Sequence, residues 1–172
     1  EAIEDYNKVL ELDKDFERAY VQRACCKYQL QDYESALEDF KIAMILNPND
    51  PLTFLNAGHT VYKLNNKNTD TTYFDKAIEL DSNMHEAYFM RGLTYSYADK
   101  KELAIKDFTK AIEIEPTWAA NYLSRGSAYE FLEQYDKALA DYRKAKELNP
   151  DDNDIDNDIK ECEEALRGVV AQ

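Results

Sequence analysis

The sequence is poor in the residues that most often carry chemistry. It holds two histidines, three cysteines and one tryptophan among 172 positions. His59 and His85 have no Cys or Asp partner at the spacing a metal site or an activated nucleophile needs. Cys25, Cys26 and Cys162 form no C-x-x-C pair and no disulfide framework. That usage fits a reducing compartment, the cytoplasm or the nucleus. With only four glycines there is no Gly-rich loop to cradle a phosphate. Neither a catalytic constellation nor a cofactor site is therefore expected, and the chain reads as a non-enzyme.

Positive charge is also in short supply. Twenty-one Lys and Arg face 35 Asp and Glu, a net charge of −14. Such a surface excludes nucleic acid, whose phosphates demand a basic partner. It also disfavours docking on anionic lipid. No apolar run approaches the ~18 residues of a membrane-spanning helix. The expected partner is a protein, and a basic one by charge complementarity.

What the sequence does have is a strict period. Tyr6, Phe40, Phe74, Phe108 and Tyr142 each lie 34 residues after the last. Tyr20, Phe54, Tyr88 and Tyr122 form a second aromatic ladder, and Ala24, Gly58, Gly92 and Gly126 a small-residue ladder. Val9, Ala43, Ala77, Ala111 and Ala145 form another, with Pro48, Pro116 and Pro150 in a further register. One structural unit is used repeatedly.

The pattern resembles the tetratricopeptide repeat, a helix–turn–helix unit of 34 residues. With the first aromatic of a repeat at position 4, Gly126 is position 8, Ala138 position 20, Tyr142 position 24 and Pro150 position 32. Whole repeats then span 17–50, 51–84, 85–118 and 119–152. Residues 1–16 resemble the second helix of a truncated repeat, and 153–172 a C-terminal capping helix. Because the chain opens in mid-repeat, a piece of a longer array is expected. The resemblance implies an all-α fold: a right-handed superhelix of antiparallel helix pairs with a concave face.

Departures from the pattern carry their own expectations. The stretch 65–72 is rich in Asn, Asp and Thr, which favour turns and caps over helix interiors. It predicts a longer turn and a second helix starting near Thr71. Lys101 stands where the repeat has an aromatic, a packing loss. Asp152–Glu163 imitates a calcium-binding loop, but Ile155 and Ile159 belong to a helical frame, and one segment cannot be both. Arg23, Arg91 and Arg125, all at position 7, are expected to pair with nearby acids.

In proteins of this family the concave groove is lined from the first helix of each repeat. Carried over, this yields Arg18, Val21, Gln22, Cys25, Tyr28 and Gln29, then Leu52, Leu55, Asn56, His59, Tyr62 and Lys63. The third repeat adds Glu86, Phe89, Met90, Leu93, Ser96 and Tyr97, and the fourth Ala120, Leu123, Ser124, Ser127, Glu130 and Phe131. The set suits an extended peptide or an amphipathic helix. A heat-shock chaperone tail is not expected. Of the family's carboxylate-clamp positions only Asn56 fits, with Val21, Cys25, Glu86 and Met90 where cations or amides are needed. The reading is an interaction scaffold. The alternative is a structural spacer or self-association segment, dimerising through exposed ends.

Overall fold

The computed structural model describes residues 1–65 and 69–170. These form ten α-helices and no strand: α1 (Ala2–Leu12), α2 (Glu17–Gln29), α3 (Tyr33–Leu46), α4 (Pro51–Leu64), α5 (Thr72–Leu80), α6 (His85–Tyr97), α7 (Lys101–Ile114), α8 (Ala119–Phe131), α9 (Tyr135–Leu148) and α10 (Asp154–Val170). Two compact units result, Glu1–Ser82 with α1 to α5 and Asn83–Gln172 with α6 to α10. Within each, every helix packs against the next, and first helices also meet, α2 with α4 and α6 with α8.

The helices start and stop for local reasons. Asp50 accepts from the backbone N–H groups of Leu52 and Thr53, with Pro51 in the first turn of α4. Asp32 caps α3 through the Ser35 N–H. The turns within helix pairs place Gln31, Asp99 and Glu133 at φ of 63°, 57° and 57°. Each occupies the left-handed position of a helix C-terminus usually held by glycine. In the pair α4–α5 the equivalent Asn65 is extended instead. Helix α5 begins only at Thr72, after Asp70 accepts from the Thr72 N–H and hydroxyl. The late start matches the expectation, although residues 66–68 of that turn lie outside the described residues. Helix α10 takes in the segment that imitates a calcium loop from Asp154 onward, and buries Ile155 and Cys162.

Ring-on-backbone contacts close the pairs. A Cβ built on Gly58 would sit 2.5 Å from Phe74 Cε1, and one on Gly92 2.7 Å from Phe108 Cε1. Gly126 meets Tyr142 Cε1 at 2.7 Å. The aromatic therefore lies against the first helix of its own pair. The same rings join cores that include Ala57 beside Phe40, and Ala128 beside Phe108. In the first pair Ala24 takes the glycine's place, fully buried.

A second bond staples three of the pairs. Arg23 Nε and Nη2 donate to Asp39 at 2.8 and 2.6 Å. Arg91 and Arg125 hold Asp107 and Asp141 with the same fork. Both partners are mostly buried, 17% and 8% exposed for Arg125 and Asp141. The pair α4–α5 has Ala57 and Tyr73 at these two positions, so both charges are replaced together. Removing one charge alone is different: it leaves a buried ion without its partner. Asp141→Ala is expected to cost about 3–5 kcal/mol. The exchange Arg125→Ala/Asp141→Tyr, which copies Ala57 and Tyr73, is expected to recover most of that loss in urea denaturation. Equal losses for the two variants would contradict this account of the staple.

Candidate functional site: clefts between first helices

In the first unit, positions three and four apart bring Val21, Gln22, Cys25, Tyr28 and Gln29 onto one face of α2. Leu52, Asn56 and His59 do the same on α4. Two adjoining hollows lie between these faces. One, of ≈ 220 Å³, is bounded by Cys25, Tyr28, Gln29, Asn56 and His59 with Phe40 as an apolar wall. The other, of ≈ 570 Å³, runs past Val21, Gln22 and Leu52. Cys25 and Asn56 border both. Asn56 is half-buried, and its carboxamide makes no hydrogen bond among the described residues. Burial, with the neighbouring Cys26, pushes the Cys25 thiol up from its ordinary range. The shift favours the thiol over the thiolate at this wall of the hollows. Cys162 is pushed up to about 11, by burial first.

In the second unit a cleft of ≈ 360 Å³ lies between α6, α8 and α10. Leu93, Leu123 and Phe108 supply apolar surface. Ser96, Ser124 and Ser127 supply hydroxyls, and Glu130 and Asp158 carboxylates. The buried Tyr142 donates its hydroxyl to Glu130 Oε2 at 2.6 Å. Burial first, then this bond, pushes the Tyr142 phenol upward, so it stays a donor. Asp158 is raised by burial and then by the carboxylates of Glu130, Glu161, Asp154 and Asp152.

The sequence-derived groove residues divide between these settings. Val21, Gln22, Tyr28, Asn56 and His59 line the hollows of the first unit. Leu93 and Leu123 line the cleft of the second. Leu55 does not belong: it is 3% exposed, turned into the core. Phe89 packs against Trp118 at 4.6 Å and Phe108 at 5.8 Å between centroids, in a cluster with buried Ala104 and Ala128. It holds the unit together before it can hold a ligand. Tyr62 and Met90 are half-buried and border none of these hollows. Tyr97 is 59% and Phe131 61% exposed. Lys101 is no packing loss. Its ammonium stands 4.4 Å from the Phe131 ring centroid and donates to the Ser96 carbonyl at 2.7 Å.

Beside these, Cys25, Gln29, Ser96, Ser124, Ser127, Glu130 and Asp158 line the hollows and the cleft. All but Asp158 stand at groove positions of first helices. Asp158 follows the same register one repeat further on, so extending the frame into α10 would have found it. Among the described residues no group of three or more His, Cys, Asp or Glu is arranged to hold a metal ion. None of the described helices is long and apolar enough to cross a membrane.

The tetratricopeptide repeat pattern matches residues 85–117 and 119–152, and a second version of it matches 17–50. Together these cover more than half of the sequence, and the chain belongs to the tetratricopeptide repeat family. Its fold is that of the family's helical solenoids. The crystal structure of MamA is similar at 25% identity and a TM-score of 0.81, over 86% of each chain. YrrB, described as a repeat protein of this family with an unusual peptide-binding site, is 27% identical with a TM-score of 0.75. That match covers 87% of this chain and 77% of YrrB. A thermophilic member from Thermus thermophilus, at 19% identity and a TM-score of 0.70 over 95% of this chain and 88% of its own, shares the fold. A comparison with curated proteins found no match.

The raised Asp158 makes a stability prediction. Across the interval above its ordinary 3.8 the folded chain holds a proton that the unfolded chain releases. The stability tied to this carboxyl is thus present below that value and lost as pH rises through the folded one. At neutral pH the charge opposes folding, facing Glu130 and the Tyr142 hydroxyl as well as Glu161, Asp154 and Asp152. Asp158→Asn is expected to raise the thermal midpoint at neutral pH, with the gain fading below the ordinary carboxylate range. A gain of the same size at both pH values would remove the carboxylate as its cause.

Proposed function

We propose that the chain is a non-enzymatic protein–protein interaction scaffold that holds a partner peptide or helix against the clefts between its first helices. One observation carries the reading. Asn56 places an uncommitted carboxamide at the junction of two hollows, beside apolar and aromatic walls. A peptide backbone is satisfied by such amides while its side chains enter the hollows on either hand. Membership of a family of scaffolds supports the reading, as does likeness to YrrB, whose own description names a peptide-binding site. The acidic balance favours a basic partner.

Exposed Leu12, Leu30 and Ile45, at 91%, 70% and 79%, favour self-association as a second reading. A mass in sedimentation that rises with concentration would select it, and a constant monomer mass would discard it.

The test of the main reading uses residues that do not hold up the core. Peptides selected from a phage-displayed random library against the unmodified protein are titrated onto Gln22→Ala/Asn56→Ala. Affinity is expected to fall about three- to tenfold, with the circular dichroism melt unchanged. Peptides that bind both proteins alike would place recognition elsewhere.

A further inference from the structure

We infer that the cleft between α6, α8 and α10 is a pocket for the cationic side chain of a lysine or arginine in the bound peptide, with Glu130 and Asp158 as its counter-charges. The inference rests on the peptide-binding reading above and adds the chemistry of one residue of the ligand.

A long basic side chain is divided into an apolar stem and a charged, hydrogen-bonding head. The cleft has the same division. Leu93, Leu123 and the Phe108 ring offer surface for the stem. Glu130 and Asp158 offer acceptors for the head, and the Ser124 and Ser127 hydroxyls offer further ones. A hollow of ≈ 360 Å³ has room for that side chain.

The charges in this unit point the same way. Asp107 and Asp141 each face an arginine, and Glu163 faces two. Glu130 and Asp158 are also half-buried, yet among the described residues they pair with no cation. The charges that bear most on Asp158 are all carboxylates. Two like charges gathered in a partly dry cleft oppose folding until a cation joins them. Tyr142 reaches Glu130 from α9 beneath and fixes the carboxylate in place before any ligand arrives.

A divalent metal fits less well. Calcium takes six to eight oxygens at close range, usually several of them carboxylates. No group of three or more acidic, Cys or His side chains is arranged for a metal among the described residues. An ammonium or guanidinium needs only acceptors along its N–H directions, which two carboxylates and two hydroxyls provide.

The test repeats the phage selection on three proteins: the unmodified chain, Glu130→Gln/Asp158→Asn, and Glu102→Gln/Glu164→Gln. The last removes the same charge from exposed positions outside the cleft. Gln at 130 can still accept from Tyr142, and thermal melts verify that all three proteins are folded. The expected result is a lysine or arginine at a fixed place in the peptides selected by the unmodified chain. Their affinity falls about tenfold or more for the cleft variant and stays within about twofold for the control. Peptides selected without a basic residue, or basic peptides weakened alike by both variants, would overturn the pocket and leave the peptide-binding reading standing. No peptide enriched on any of the three would overturn both.

Discussion

The ring of position 24 resting on the small residue of position 8 is the contact on which the rest depends. Phe74 on Gly58, Phe108 on Gly92 and Tyr142 on Gly126 come so close that no Cβ fits between them. Each pair of helices is thereby drawn together at one point along its length. Phe40 and Phe108 do a second task, packing with Ala57 and Ala128 of the neighbouring first helix. A single side chain thus closes its own pair and joins that pair to the next. First helices then lie side by side within each unit, and clefts open between their outer faces. The candidate sites follow from the packing of the core.

Charge is arranged with similar economy. Arginines at position 7 neutralise mostly buried aspartates, joined at Asp39 by Lys27, and the fork geometry ties the two helices of a pair. Arg125 reaches further, donating to the Thr109 hydroxyl of α7 at 3.0 Å. The pair α4–α5, which lacks both charges, starts its second helix at Thr72, where Asp70 accepts from the Thr72 N–H. Asp70 is held below the ordinary carboxylate range by those Thr72 hydrogen bonds. Glu130 and Asp158, which pair with no cation among the described residues, stand together in the cleft of the second unit.

Much of this was legible from the period alone. A step of 34 residues with aromatics, glycines and alanines in fixed registers specifies helix pairs, because each register marks which side of a helix must be buried. The late start of α5 was legible too, since Asn, Asp and Thr compete with the helical backbone for hydrogen bonds. The site was legible only in outline. Asn56, Gln22 and Tyr28 stood in the right register and do line the hollows. Leu55 stood in the same register and is buried, and Phe89 is locked beneath Trp118. Lys101 read as a loss and is a cap on Phe131.

The sequence by itself determined which helices form, where they pair, and which angular face of each one points away from its core. Those are properties of periodicity, and periodicity is local. Only the tertiary structure decided which outward residues stay uncovered, because that depends on how far a neighbouring helix reaches across them. It alone brought Glu130 on α8 and Asp158 on α10 to the walls of one cleft, with Tyr142 of α9 between. Each stands at an outward position of the repeat frame, but how near the two come across 28 residues was decided by the packing of α8, α9 and α10.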